Sequence, residues 1–342
     1  MIKPKKLSNG DKVNTISLSN GMAGEEMFRY RYEYGKSRLQ DVFNLNVEET
    51  PYSMKGNDYL YNHPEKRAED FMNALKDNTV NGIISNIGGD DTIRLLPYID
   101  FSVIRKNPKV FLGYSDSTVN HFMMYKAGVI SYYGPCVLCE FAENYKMHDY
   151  TKKYVEEFLF TRGNEIIIKS SDEWTSEFLD WANSDTINQV RKMQKEKHGF
   201  DVIQGKGKTT GILLGGCIDV FPMLFGTKIW PTQEEWKDKI LLIETSECYL
   251  QPYLLEYYLR SLVAQGVIDS IKGIIVGKPK DEKFYEEYKK IYKKVISDEA
   301  KRPDLPIMYN INIGHADPMC ILPIGDEITI DLDNKQIIYH NQ

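Results

Sequence analysis

The first half of the chain alternates short apolar runs with helix-like segments, and that alternation leaves few folds open. Val13 to Leu18 has the make-up of a strand, and Arg38 to Phe43 opens a short helix. Pro64 to Lys76 places Ala68, Phe71, Met72 and Leu75 on one face at helical spacing. A strand over Asn81 to Ile87 runs into Gly88-Gly89-Asp90-Asp91, and Thr92 to Tyr98 reads as a short helix capped by Asp90 or Asp91. Lys109 to Leu112 is the next strand, followed by a helix from Asp116 to Ala127 that closes at Gly128. Alternation of this kind specifies a parallel, doubly wound sheet, whose sites form beyond the carboxyl ends of the strands. Gly88-Gly89 and Ser115 both fall at such ends.

At 342 residues the chain predicts two domains that share one site. An N-terminal α/β domain is expected over residues 1–165 and a C-terminal domain over 208–342. Between them, 166–207 is polar, carries Trp174 and Trp181, and reads as a connecting segment with a helix or two. In the second half, Ile240 to Glu244 and Gly273 to Val276 are strands, while Tyr253 to Gln265 and Lys283 to Ser297 are amphipathic helices. Phe284, Tyr288, Ile291, Tyr292 and Val295 form the apolar stripe of the second helix, and its lysines form the solvated face. Asp333-Asn334 between Glu327–Ile330 and Gln336–Tyr339 signals a hairpin.

Composition narrows the function. With 43 basic against 49 acidic residues the net charge is −6, which argues against a nucleic-acid polymer as partner. No apolar run reaches the length of about 18 residues that a membrane-spanning helix needs. Met1-Ile-Lys-Pro-Lys-Lys lacks the apolar core of a signal peptide, so the cytoplasm is expected. Five cysteines in a chain this long imply a reducing compartment without a disulfide framework. Cys136 and Cys139 form a C-x-x-C that fits a redox pair or half a zinc site. The preceding Tyr-Tyr-Gly-Pro reads as a turn, so buried thiols and no metal site are expected.

The stretch Lys109-Val-Phe-Leu-Gly-Tyr-Ser-Asp-Ser-Thr118 carries the most chemistry. A serine at the turn from strand to helix exposes its hydroxyl beside unpaired helix amides, which makes Ser115 a candidate nucleophile. Capping of the helix by Ser115 and Asp116 is the competing reading. Amides of Asp116 and of Gly88 or Gly89 would form the oxyanion hole, since glycine lets backbone approach a reacting carbonyl. Gly113-x-Ser115-x-Ser117 lacks the last glycine of the lipase elbow, which disfavours an ordinary α/β-hydrolase. Gly207-Lys208-Thr209 resembles the end of a phosphate-binding loop. Val202 stands where that motif needs its first glycine, and a strand-like run follows where it needs a helix.

A serine nucleophile needs a base and a group to orient it. Of six histidines, His121 shares the Ser115 helix but points elsewhere, and His63, His148, His198 and His340 lie in polar stretches or before a proline. His315 sits in a tight loop, Gly314-His-Ala-Asp-Pro318, just after a strand-like run, where a base or a hydrogen-bonding role both fit. Glu244 ends the apolar run Leu241-Leu-Ile-Glu, and a carboxylate buried there needs a partner. Glu247, three residues on, is the alternative acid. A histidine base predicts that activity falls as His315 is protonated, near its reference value of about 6.5 unless neighbours shift it.

Taken together these windows resemble the LD-carboxypeptidase and microcin-immunity family of serine peptidases. The resembling residues are Ile87-Gly-Gly-Asp-Asp91 with Arg94-Leu-Leu-Pro-Tyr-Ile-Asp100, Gly113-Tyr-Ser-Asp116, Leu214-Gly-Gly216, Leu242-Ile-Glu-Thr-Ser-Glu247 and Gly314-His-Ala-Asp-Pro-Met319. The resemblance implies a flavodoxin-like N-terminal domain carrying the nucleophile Ser115. It further implies a smaller α/β C-terminal domain carrying the base His315 and its orienting acid Glu244, with Asp116, Gly88 and Gly89 at the oxyanion hole. It implies no cofactor and a homodimer. One branch of the family trims terminal D-alanine from murein tetrapeptides, and the other cleaves the link between a peptide or amino acid and a nucleotide in microcin C-like compounds. Gly-Gly-Asp-Asp-Thr-Ile-Arg-Leu-Leu-Pro and the segment around Trp174 and Trp181 look more like the second branch, in which a tryptophan would stack on an adenine. Packing of both rings onto the body is the plainer reading. The chain departs from the family at Cys217, where asparagine is expected. A small peptide or peptidyl-nucleotide is thus the implied substrate.

Overall fold

The computed structural model describes residues 1–163 and 165–341. In chain order its strands are β1 (Lys12–Ile16), β2 (Asn46–Glu49), β3 (Val80–Ser85), β4 (Val110–Gly113), β5 (Ser131–Tyr133), β6 (Glu165–Ile168), β7 (Glu173–Trp174) and β8 (Gln194–Lys195). They continue with β9 (Asp201–Gln204), β10 (Lys208–Cys217), β11 (Lys239–Glu244), β12 (Gly273–Gly277), β13 (Ile307–Ile311), β14 (Leu322–Ile324), β15 (Glu327–Asp331) and β16 (Gln336–His340). The chain forms two compact units. The first comprises Met1–Arg162, Glu177–Lys192 and Cys320–Pro323, and the second comprises Gly163–Ser176, Met193–Met319 and Ile324–Gln342.

In the first unit the strand order is β14-β5-β4-β3-β1-β2, with β1 to β5 parallel. The order reverses beside β1, which is the doubly wound sheet expected from the alternating pattern, in the flavodoxin-like arrangement that the family resemblance implies. All four residues of β4 are buried, as a parallel strand covered on both faces requires. The helix Pro64–Lys76 has the predicted bounds, opens with proline and buries Ala68, Phe71, Met72 and Leu75. One element differs from expectation. The helix read as beginning at Arg38 spans Arg29–Asp41, and its buried face includes Arg31, Tyr32 and Arg38, so apolar periodicity could not reveal it.

In the second unit β10, β11, β12 and β13 form a parallel centre, flanked by antiparallel β15, β16 and β6 on one side and β9 on the other. β11 is buried along its whole length. β10 begins at Lys208 and runs to Cys217, so no helix follows Gly207 and the phosphate-loop likeness has no structural counterpart. The helix Pro252–Ala264 buries Leu255, Leu259 and Leu262, and a second, Tyr285–Tyr292, starts only after Phe284 at φ 60°. Tyr285 therefore takes a buried place expected of Phe284, while Lys290, Lys293 and Lys294 stay exposed. β15 and β16 form the expected hairpin.

The polar stretch 166–207 divides between the units and holds β7 paired with β8, a short turn Ser184–Asn188 and β9, with no α-helix. Its Asp, Asn and Ser residues bind nearby backbone instead, as Asn183 does at the Asp185 amide. No helix of the described residues is long and apolar enough to cross a membrane.

Candidate active site

From Lys109 to Met124 every residue is buried except Ser115. β4 ends at Gly113, where a Cβ would lie 2.7 Å from Ser117 Oγ and 2.9 Å from Ser85 Cβ. Ser115 itself sits at φ 60°, a left-handed conformation that costs a non-glycine residue about 1–2 kcal/mol. Its amide donates to Tyr133 Oη (3.0 Å), and its carbonyl accepts from Thr118 Oγ1 (2.7 Å). Neither helical segment that starts here is capped by a side chain, so Ser115 and Asp116 are not spent as caps. Gly88 lies against the serine: a Cβ on it would be 2.9 Å from Ser115 Cβ, 3.0 Å from Oγ and 3.4 Å from the Asp116 nitrogen. Gly89, at φ 150°, leaves no room either, since a Cβ would fall 2.2 Å from Ser19 Oγ.

The loops after β1, β3 and β4 are tied together by side chains that sequence reasoning missed. Arg67, fully buried, donates to both oxygens of Asp91 (2.6 and 3.0 Å) and to the carbonyls of Leu18 and Ser19. Arg94 adds a third bond to Asp91 (2.9 Å), and Ser19 Oγ accepts the Asp90 and Asp91 amides. Asp91 stands at the N-cap position of Thr92–Tyr98, as expected, but its side chain anchors two guanidinium groups and makes no capping hydrogen bond. The amide of Thr92 goes instead to Asp116 Oδ2 (2.9 Å), which links the serine turn to the Gly88-Gly89 turn. Burial pushes the Asp116 carboxyl up from its ordinary value. A buried arginine reads as a solvated residue in sequence. Only its place inside the predicted helix Pro64–Lys76 could have hinted otherwise.

In the second unit, Glu244 at the end of β11 is buried and accepts a hydrogen bond from His315 Nδ1 (2.8 Å). The partner demanded of a buried carboxylate is thus His315. Glu247, with a side chain 55% exposed, meets the other ring nitrogen, Nε2, at 3.0 Å. Burial disfavours the charged imidazole, yet the two carboxylates outweigh it and hold the His315 pKa well above its ordinary value. The hydrogen bond from His315 draws Glu247 down to about 2. Two glycines make the space: a Cβ on Gly314 (φ 100°) would lie 2.6 Å from Glu244 Oε2, and one on Gly277 would lie 2.7 Å from Glu244 Cβ. Gly277 carried no sequence signal of its role. Cys217 pairs in register with Glu244, and its thiol points to Asp219 Oδ2 at 3.6 Å, so the departure from asparagine leaves an ordered loop.

The remaining histidines are otherwise engaged. His121 is buried; Nε2 donates to the Gly113 carbonyl (2.9 Å) and Nδ1 faces Ser131 Oγ (2.7 Å), and burial lowers it to about 4. His148 is not exposed as its surroundings suggested; it lies 3.4 Å from Glu143, which Arg191 also binds. Trp174 is 3% exposed, pairs within the β7–β8 ribbon and has Lys278 Nζ 4.2 Å over its ring. That burial corrects the expectation of a base-stacking surface there. Trp181 is half-buried, with the Arg31 guanidinium 4.1 Å from its ring and Phe178 alongside. Cys136, Cys139 and Glu140 bring two thiols and a carboxylate oxygen within 4.8 Å of one another, a donor set fit in kind for a thiophilic ion. Burial, then the neighbouring thiol, keep Cys136 protonated, and Glu140 is bonded to the Cys136 amide.

Residues 13–134 match the family described as LD-carboxypeptidase N-terminal domain, and residues 210–330 match the LD-carboxypeptidase C-terminal domain. The microcin C7 self-immunity protein MccF of Escherichia coli is 30% identical over 275 residues, which is 80% of this chain and 77% of that protein. A crystal structure of an MccF-like protein from Streptococcus pneumoniae in complex with AMP is 34% identical with a TM-score of 0.89, covering 97% of this chain and 100% of that one. A structure of MccF in complex with glutamyl sulfamoyl guanosine is 25% identical with a TM-score of 0.84, over 99% and 98% of the two chains.

Proposed function

This chain belongs to the LD-carboxypeptidase family, and from that premise we propose that it is a serine hydrolase of the microcin-immunity type. Its substrate in this reading is an amino acid or peptide joined to a nucleotide through an acyl linkage. The observation that carries the reading is the pairing of the buried Glu244 with His315 at 2.8 Å, an acid–base unit of the kind that activates a serine. The substrate class rests on the relatives, since one structure similar to this chain holds AMP and another holds glutamyl sulfamoyl guanosine.

In the proposed reaction Ser115 Oγ attacks the acyl carbon while His315 Nε2 takes its proton, and Glu244 fixes the ring through Nδ1. Amides of Asp116 and of Gly88 or Gly89 receive the developing oxyanion. His315 then returns the proton to the departing nitrogen, and water releases the acyl group from Ser115 by the same steps in reverse order. Trp181, whose ring already stacks on the flat guanidinium of Arg31, is the tryptophan assigned to the base. The murein reading, release of terminal D-alanine from a tetrapeptide, is the second hypothesis, favoured by the family's description.

The test is hydrolysis of an aminoacyl sulfamoyl-adenosine and of a murein tetrapeptide by the protein and by Ser115→Ala. We expect the nucleotide substrate to have the higher kcat/KM, and the variant to lose at least about 10³-fold. Equal rates for protein and variant would end the proposal, and a tetrapeptide preference would replace its substrate.

A further inference from the structure

Glu247 makes a contact that the proposed reaction must break. A base accepts a proton at Nε2, and in the structure that nitrogen is bonded to the Glu247 carboxylate at 3.0 Å. The side chain is free to leave, being 55% exposed, whereas the backbone on either side is pinned. The Ser246 amide donates to Asp219 Oδ2 (3.0 Å), and the Cys248 amide donates to Ser246 Oγ (3.2 Å). A rotation of the Glu247 side chain alone therefore uncovers Nε2. A carboxylate that gives up an imidazolium needs another cation, because an unpaired charge beside a buried site is costly.

Resting on the serine-hydrolase reading above, we propose that Glu247 is a specificity-determining residue that exchanges His315 Nε2 for the free α-ammonium group of an aminoacyl substrate. Covalent geometry supports the exchange. The α-nitrogen of an aminoacyl group lies about 2.5 Å from the acyl carbon that is attacked. The base must stand within about 3 Å of the attacking hydroxyl, so the carboxylate at Nε2 is within reach of the α-nitrogen. Swapping one cation for another keeps Glu247 paired and opens Nε2 only when such a substrate is present. Substrates whose α-nitrogen is acylated, as within a longer peptide, offer an amide with no charge and gain nothing from it.

The experiment reads binding in a protein that does no chemistry, so it stands apart from the test of catalysis. In Ser115→Ala, calorimetry at about pH 6.5, where an α-amine is protonated, compares alanyl sulfamoyl-adenosine with its Nα-acetyl counterpart. The free amine should bind about fivefold more tightly, the upper end of the scale for an exposed ion pair. In Ser115→Ala/Glu247→Gln the ratio should fall to within about twofold, and Ser115→Ala/Glu247→Asp should restore part of it. An unchanged ratio in Glu247→Gln, or no preference in the parent, overturns the proposal whether or not the wild-type protein hydrolyses either compound.

Discussion

Two histidines, one in each unit, have opposite surroundings. His121 faces a carbonyl and a hydroxyl and is driven to about 4, so it is neutral in the folded protein. His315 lies between two carboxylates, which hold its pKa above the ordinary value against the effect of burial. Burial acts on both in the same direction, and the neighbours decide the outcome. A histidine locked by two uncharged partners braces the strand end at Gly113. One held by Glu244 on one nitrogen, with a partly exposed side chain on the other, is built to change its bonding.

The largest expected contrast is between variants of these two. His315→Ala should lower kcat/KM by about 10⁴-fold, since the members of a triad act as a unit, and should also lower the urea midpoint, because Glu244 is left buried without its partner. His121→Ala should also destabilise, by about 3 kcal/mol through a buried cavity and lost hydrogen bonds, but without the loss of rate. Its rate per folded molecule should stay within about tenfold. Denaturation curves paired with titration by a serine-directed probe separate the two. A His121 variant that is stable but inactive would overturn the assignment of roles.

The glycines beside each group extend the comparison. Gly88→Ala sets a Cβ 3.0 Å from Ser115 Oγ, and Gly314→Ala sets one 2.6 Å from Glu244 Oε2 at φ 100°. Each should lower kcat by about 10²-fold, the cost of a displaced oxyanion donor or base. A variant of either kind with normal kcat would show that the neighbouring group has no part in the reaction.

Much of this was legible in the sequence, for reasons that differ by residue. Glu244 stood out because an apolar run such as Leu241-Leu-Ile cannot end in a buried carboxylate without a partner, and the structure supplies His315. The helix Pro64–Lys76 was legible because its buried face is apolar apart from Arg67 and Asp70. The helix Arg29–Asp41 was not, because it buries Arg31 and Arg38 through hydrogen bonds to Leu138 and Phe141 carbonyls. The Arg67–Asp91 anchor escaped for the same reason: long-range polar pairing leaves no periodic trace. The choice between Glu244 and Glu247 stayed open because both contact the same imidazole, a fact of three-dimensional placement.

The sign of the pH effect also separates the two histidines. His121 is neutral when folded and binds a proton near 6.5 when unfolded, so its contribution is present above about pH 6.5 and is lost as pH falls toward 4. Between pH 7 and 5 this single group should lower stability by about 2 kcal/mol. The difference in urea-denaturation slope against pH between the protein and His121→Gln isolates it from the carboxylates. His315 has the opposite sign, its pairing being fully present below about 6.5 and lost as pH rises through the higher folded value. A His121→Gln protein with the same loss between pH 7 and 5 would mean that the buried ring does not titrate as its surroundings require.

The smallest effect is the most discriminating. The groups that act on His315 are Glu244 and Glu247, and Lys280 in turn acts on Glu247. With both carboxylates charged, the acidic limb of kcat/KM should lie above the reference value of about 6.5, because the imidazole must lose its proton to serve as base. Glu247→Gln removes one charge, at a partly exposed position, and should move that limb to lower pH. Glu244→Gln should instead lower the whole profile, since the ring loses the acceptor that orients it. If Glu247→Gln left the limb in place, the free enzyme would hold Glu247 away from Nε2 in solution. The contrast between the two histidines would then rest on Glu244 alone.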